Sequence, residues 1–471
     1  MSGRAHLQWG GRFGDAPDPA LLAFGSSLAD DLVLAPFDVA CSRAHVVALA
    51  GGGIIPQETA TVLDGALRSI AEEVQTEAFA GWALALGAED VHGAIDARVR
   101  SLEPVAGEWL HAGRSRNDQV ATTLLLYARD RARRGHALCV EIARLAVDGA
   151  AAALEKGTLL AATTHWQPAQ PVLLAFWLAA VAENFVRAAQ RFDRVAADAA
   201  RWCPLGSAAC AGSTLPLDRL AAARALGFAA PSRNALDAIG DRDVALDLLA
   251  AAGRALLAAS RVSEEVVAYC TPAFGYARLA DSASTGSSLM PQKRNPDPFE
   301  LVRGAAGAAL GAVTGAQATL AGLALSYHRD LQETKRIVVF ETERALGALD
   351  AFSRAFSRLS WQSEAMEAAA AEGFTVATDI ADALVARGVT PRRAHELVGR
   401  AVAAADRDRR ALNEDDLIML ASAARIPIFD APLDAGSSVL AKRTAGSTSP
   451  ADVRRSLEAL RAELDASDPQ A

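Results

Sequence analysis

Apolar residues recur three and four positions apart through five long stretches of this chain, with polar islands between them. The clearest seam is Leu178, Val181, Phe185, Ala188, Phe192 and Val195, the spacing of a helix that buries one face in a bundle. A second runs Val244, Leu248, Ala251, Ala255, Ala259, Val262 and Val266. A third extends from Asp118 to Lys156 with little interruption, which predicts a helix ~58 Å long at ~1.5 Å per residue. The last two cover Pro298–Ala324 and Lys335–Ala369, separated by the polar segment Ser326–Thr334. Pro168 and Pro171 are expected to open the second helix, and Pro296 and Pro298 the fourth, because the first helical turn tolerates a missing N–H. Helices this long, with small Ala and Gly positions along them, predict bundles from several copies packing together, most simply as a tetramer.

The pattern predicts an all-α protein in three parts. Residues 1–112 carry shorter helices with Gly/Pro joints such as Gly51–Pro56, an N-terminal helical domain. Residues 113–369 hold the five-helix bundle. Residues 370–471 form a C-terminal helical domain of short amphipathic pieces, Val376–Arg387, Pro391–Ala405 and Pro450–Leu464 among them, with Thr390-Pro391 as a helix start and Asp465–Ala471 as a fraying end.

Composition supports this and narrows the partners. The chain has 471 residues, 51% hydrophobic and 22% charged, enough core material for a folded protein without long disorder. Aromatics are 6%, and Ala with Leu favours close-packed helices over sheets. A net charge of −9 argues against a general nucleic-acid binder while leaving room for a local cationic pocket. The five cysteines, Cys41, Cys139, Cys203, Cys210 and Cys270, are odd in number and lack CxxC spacing, which suggests neither a disulfide framework nor a zinc site and fits a reducing cytoplasm. The opening MSGRAHLQWGGRF lacks a signal peptide's apolar core, and no uninterrupted apolar run reaches the ~20 residues of a membrane span.

Candidate chemistry lies in the islands. Glu89-Asp90-Val91-His92 is followed by His111–Gln119, HAGRSRNDQ, where Arg, Ser and Asn donors stand before a long helix. That arrangement suits an anion site, and equally a solvated capping loop with Asp118 at the helix start. In Thr163–Pro171, TTHWQPAQP, His165 between a hydroxyl and amides is placed for proton exchange at the mouth of a helix, or is a packed capping histidine. Ser284–Asp297 contains GSSLMPQKRNP, whose small, hydroxyl-rich front half is suited to closing over a ligand, with Lys293 and Arg294 supplying charge. It lacks phosphate-loop spacing, and a plain surface loop is the alternative. Asp241-Arg242-Asp243 and Tyr327–Lys335 are lesser charged islands.

Taken in order, the islands resemble the fumarase/aspartase superfamily of homotetrameric helical enzymes that eliminate fumarate from a succinyl-bearing substrate. GSSLMPQKRNP is similar to the superfamily's signature loop and TTHWQPAQPV to its THLQ-type segment. WGGRF at Trp9–Phe13, HAGRSRNDQVAT at His111–Thr122 and YHRDLQETK at Tyr327–Lys335 resemble the argininosuccinate lyase branch. The resemblance implies that Ser287 and His165 carry protons and that Glu300 orients His165. It implies substrate contacts at Ser27, Asn117, Thr164, Tyr327, Gln332 and Lys335, with Asp90, Arg242, Lys293 and Asn295 gripping carboxylates and amino groups. It further implies argininosuccinate as substrate, active sites each assembled from three subunits, and no metal or organic cofactor. Ala94, Ala112, Trp166, Arg294, His328, Arg329 and Thr334 depart from the usual pattern, and none is a proposed proton carrier. Two rivals are a sister lyase for adenylosuccinate, aspartate or malate, opposed by RSRNDQ and YHRDLQETK, and a non-catalytic bundle protein of the lens δ-crystallin kind, opposed by the intact Ser287 and His165.

Overall fold

The five seams form five long helices, Arg116–Lys156, Leu174–Asp198, Asp243–Tyr269, Asp297–Leu320 and Leu331–Phe356. The structure is a computed structural model and describes residues 18–466. The WGGRF motif and the last five residues lie outside the described residues. The longest helix has 41 residues, hence ~62 Å. Shorter helices precede and follow, as the sequence predicts, and the architecture is all-α with, among the described residues, four two-stranded ladders at the joints.

Two of those ladders correct the expected helix ends. Pro168 and Pro171 do not open a helix: they lie in the strand Gln167–Leu173, which pairs antiparallel with Leu159–Thr164, and the helix begins at Leu174. Proline is tolerated there because a two-stranded ribbon has free edges where a missing N–H costs nothing. The fifth helix ends at Phe356 rather than Ala369, since Leu359–Trp361 turns into a strand against Ala277–Leu279 before a separate helix, Ser363–Ala371.

The chain divides into two units, each using parts of the long helices. The first comprises residues 1–137, 189–256 and 305–348, of which those from Asp18 onward are described. In its interior Gly135 lets the Phe192 ring lie against the helix, where an added Cβ would sit 2.6 Å from the ring. Glycine in a helix interior costs ~1 kcal/mol relative to alanine, less than the ~2–3 kcal/mol gained by burying a phenyl ring. The segment Pro19–Gly51 is apolar and long enough by composition to cross a membrane. It breaks at Ser26 and Ser27, buries Asp31 and Asp38 within the unit, and reads as core.

The second unit comprises residues 138–188, 257–304 and 349–471, of which those up to Ala466 are described. Phe352 anchors it, with Phe185, Phe299 and Phe356 at ring separations of 5.5, 5.8 and 5.6 Å. Its C-terminal helices bury Ile380, Leu384, Leu397, Leu417, Leu420 and Phe429 in a cluster of their own. Thr390 does precede a helix with Pro391 at its first position. Helices Glu414–Ala424 and Ala435–Ala441 start on reciprocal capping boxes, Asn413 with Asp416 and Asp434 with Ser437.

Candidate active site

The first unit contains a cavity of about 260 Å³ lined by Ser27, Asp90, Asn117, Arg242, Tyr327, Gln332 and Lys335, all singled out from the sequence, together with Glu89, Gly93, Arg116 and Arg329. Its floor is a buried ion pair. Lys335 Nζ lies 2.7 Å from Asp31 Oδ1. Ser27 Oγ donates to Asp31 Oδ2 at 2.6 Å, and Lys335 stands 3.5 Å from Ser27 Oγ. All three side chains are buried, so each charge needs the other, and the pairing fixes Lys335 at the cavity wall.

A second cation is less satisfied. Arg242 is 3% exposed, and its Nη1 donates to the carbonyls of Ile239 and Asp241 at 3.2 and 2.6 Å. Among the described residues its Nε and Nη2 meet no acceptor. Burial pushes the guanidinium down to about 10, against the pull of Tyr327 and Asp241. A buried guanidinium with two idle donors at a cavity wall is a binding group for an anion. Close backbone approach builds this corner, since a Cβ on Gly240 would lie 2.6 Å from the Ser326 carbonyl oxygen, beside Tyr327. Burial raises the Tyr327 phenol although Arg242 and Arg329 oppose it, which keeps the phenol protonated.

The opposite wall is a helix start. Asp90 caps Val91–Leu102 by accepting from Gly93 N at 2.7 Å, and Arg116 Nε lies 3.1 Å from its other oxygen. Burial alone would raise this carboxyl, but Arg116, His92, the Gly93 amide and Lys335 together hold it below the usual range. Arg116 Nη1 donates to Gln119 Oε1, and Gln119 donates to Asp38 Oδ1 at 2.8 Å. That oxygen also faces His92 Nδ1 at 2.7 Å. Burial would raise Asp38 as well, yet His92, Arg114 and Gln119 hold it at about 2. The cavity wall is therefore backed by a fully buried polar network. Ala94 is fully buried on the same helix and does not line the cavity.

HAGRSRNDQ is neither solvated nor merely a cap. Arg114, Asp118 and Gln119 are buried. Asp118 accepts from the amides of Ser115, Gly206 and Ala208 at 3.0, 2.9 and 2.9 Å, tying a distant loop to the helix start. Burial pushes its carboxyl up to about 6 despite those amides and Arg114. Asn117 donates to the Ala209 carbonyl at 2.9 Å and thereby faces the cavity beside that loop. Arg329, a departure from the expected pattern, bonds Gly25 O at 2.6 Å and Glu89 Oε1 at 2.5 Å, and Gln332 reaches the same carbonyl at 3.2 Å.

The remaining sequence candidates lie in the second unit. Thr164 and His165 are exposed near the tip of the Leu159–Leu173 hairpin rather than at the mouth of a helix. In the GSSLMPQKRNP loop, Thr285 pairs with Asn295 and Gly286 with Arg294, a short ladder that closes the loop's base. Ser287 Oγ accepts from the amides of Leu289 and Met290 at 3.2 and 3.0 Å, so its oxygen sits on two N–H dipoles that favour negative charge. Asn295 donates to Thr285 Oγ1 at 3.4 Å, and Lys293 is exposed. Glu300, expected to orient His165, instead stands 3.6 Å from Arg303, and no hydrogen bond joins it to His165 among the described residues. The reason is positional: Glu300 and Arg303 are neighbours on one helix face.

Residues that the sequence reading did not assign include Asp31, Glu89 and Arg116. Arg116 stood inside an island already noted. Asp31 was findable as an acid in an apolar stretch beside Ser27.

A family model described as Lyase matches residues 11–311, and one described as Argininosuccinate lyase C-terminal matches residues 374–439. Among solved structures, EDDS lyase in complex with formate superposes with a TM-score of 0.79 at 27% identity, covering 92% of this chain and 86% of that one. Recombinant class II fumarase from Schistosoma mansoni shares the fold, with a TM-score of 0.69 at 15% identity over 85% of this chain and 90% of that one. Long-helix fold and cationic cavity thus define a lyase of the fumarase/aspartase superfamily. Argininosuccinate lyase from Thermus thermophilus is 40% identical over 98% of this chain and 99% of its own length. That from Mycolicibacterium paratuberculosis is 40% identical over 98% and 97%. The chain belongs to the argininosuccinate lyase family and is a carbon–nitrogen lyase.

Proposed function

We propose that the first-unit cavity holds argininosuccinate, and that Ser287 and His165 perform its elimination to arginine and fumarate. The observation that carries this reading is Arg242, a buried guanidinium in the cavity wall near the Lys335–Asp31 pair, with two nitrogens that find no acceptor among the described residues. Argininosuccinate brings three carboxylates, a guanidinium and an ammonium. Arg242, Lys335, Asn117, Ser27 and Gln332 supply cations and donors for the first, and Asp90 and Glu89 supply acceptors for the others. Thr164 and Tyr327 add hydroxyls.

In the forward direction Ser287 takes the proton from the succinyl carbon next to a carboxylate. Charge builds on that carboxylate, and Lys293 and Asn295 stabilise it. The carbon–nitrogen bond then breaks, its electron pair leaves with the guanidino nitrogen, and a carbon–carbon double bond forms. His165 returns a proton to that nitrogen, directly or through water. The two amides on Ser287 Oγ support its role as base, because they stabilise the alkoxide more than the alcohol.

The reading includes a homotetramer in which the cavity of one copy is completed by the hairpin of a second and the loop of a third. Exposed Thr164, His165 and Lys293 support it. So does the open, small-residue face of Asp297–Leu320, where a Cβ on Gly307 or Gly311 would meet nothing within 4 Å and Phe340 nearby is 64% exposed. The three parts, 1–112, 113–369 and 370–471, serve as cap, assembly bundle and second cap. A cytoplasmic setting suits five cysteines that are all free.

The test is Ser287→Ala, assayed by fumarate absorbance and by calorimetric binding of argininosuccinate. The expected outcome is turnover lowered by roughly a thousandfold or more with binding retained. Near-normal turnover would remove Ser287 from the mechanism.

A further inference from the structure

His165 and Trp166 are the two central residues of the hairpin turn, and both have left-handed backbone, φ 56° and 61°. Thr164 pairs with Gln167 across them. A two-residue turn of this hand ordinarily takes Asn-Gly or Gly-Gly, because a side chain crowds the backbone at positive φ. Two successive large side chains in this conformation need something to hold them. The ladder below the turn and the fixed backbone of Pro168 supply part of it.

The rest comes from the indole. The Trp166 ring meets Phe274 edge-on at 6.1 Å. Phe274 packs on Tyr276 and Tyr269 at 5.3 and 5.9 Å, and Tyr269 on Trp177 at 5.9 Å. Trp177 is itself fixed, since its Nε1 donates to Glu265 and its ring meets Trp361 at 5.4 Å. In a chain whose aromatics are only 6%, this contiguous row links the hairpin tip to two long helices and a strand. Trp166 remains 47% exposed, too open for a core residue whose purpose is burial.

We propose that Trp166 is a positioning residue for the elimination: its contact with Phe274 holds the turn in its left-handed form and so fixes the direction in which His165 presents its imidazole. The inference rests on the reading of His165 as a proton carrier. Trp166 is not among the residues lining the first-unit cavity, and Thr164, the hairpin's substrate contact, is tied by its own ladder pairing with Gln167, so loss of the indole acts on turnover more than on substrate affinity. Misplacing a proton-transfer group by a fraction of its reach costs about 10- to 100-fold in rate.

The experiment measures kcat and KM for argininosuccinate in Trp166→Ala, Trp166→Phe, Phe274→Ala, the Trp166→Ala/Phe274→Ala double variant and His165→Asn, with unfolding midpoints for each. Trp166→Ala is expected to lower kcat about 10-fold or more with KM within about twofold, and Trp166→Phe to recover most of it. The double variant should fall no further than Trp166→Ala alone, because both changes break one contact. A kcat within about twofold of wild type in Trp166→Ala, a change confined to KM, or losses that multiply in the double variant would each overturn the proposal. Should Trp166→Ala fail to fold, Phe274→Ala with Trp166 intact decides on the same kcat criterion. His165→Asn separates the two readings. Wild-type turnover there removes the histidine's role and this proposal with it, whereas abolished turnover beside an unaffected Trp166→Ala removes the proposal alone.

Discussion

Replacing Arg242 with methionine should make the protein no less stable and a far poorer enzyme, a combination that a structural arginine would not give. Burial lowers the guanidinium from its ordinary range by more than two powers of ten in proton affinity, to about 10. At ~1.4 kcal/mol per tenfold in proton affinity, holding the charge in the fold costs ~3 kcal/mol. The sign follows from protonation. Below pH about 10 the group is charged folded and unfolded, so the cost is fully present at neutral pH and disappears only as pH climbs past 10. Methionine removes that cost but leaves the Ile239 and Asp241 carbonyls without their donor, a loss of ~1 kcal/mol each. The net effect on stability is ~1 kcal/mol favourable. Substrate binding loses a buried charge pair worth ~2–5 kcal/mol, so kcat/KM should drop by roughly 30-fold to several thousandfold. Urea unfolding and steady-state fumarate release measure the two effects. A variant destabilised by several kcal/mol with kcat/KM unchanged would refute the argument, because Arg242 would then be a structural donor facing no anion.

Two further outcomes follow from the geometry. Asp118 has its folded carboxyl raised from 3.8 to about 6, so the native state binds this proton more tightly than the unfolded chain. The stability it contributes is fully present below the unfolded value and is lost as pH rises through 6, so wild type minus Asp118→Asn, measured by chemical unfolding, should fall by ~2 kcal/mol between about pH 4.5 and about pH 7. A difference that rises over that window would mean the three amides outweigh burial. Gly311→Glu places a carboxylate on the open face of Asp297–Leu320, and light scattering should show the proposed tetramer replaced by smaller species with activity lost. An intact tetramer would mean that face is not an interface.

The helices were legible because their apolar period runs long and unbroken, as at Leu178–Val195, and burial there follows from spacing alone. The hairpin was not. Thr163–Pro171 has prolines that read as a helix start, and its turn lacks the glycine or asparagine that marks a two-residue hairpin: His165 and Trp166 take the left-handed positions instead, with the Trp166 ring against Phe274. Of the candidate site, Ser27, Asp90, Asn117, Arg242, Tyr327, Gln332 and Lys335 do meet in one cavity. Asp31 showed in the sequence only as an acid in an apolar stretch and Arg116 only as one donor of an island; their partners, Lys335 for the first and Asp90 with Gln119 for the second, are set by the fold. The Asp38–His92 pair was hidden for the same reason, since its partners lie 54 residues apart.

The most direct test of a shared site mixes two impaired proteins, Arg242→Met and Ser287→Ala, dissociated and reassembled together. If each site draws Arg242 from one copy and Ser287 from another, a mixed population regains roughly a quarter of wild-type fumarate release, the chance that both contributors are intact. Activity no higher than that of either parent, from tetramers shown to be mixed, would contradict the account and confine each site to a single chain.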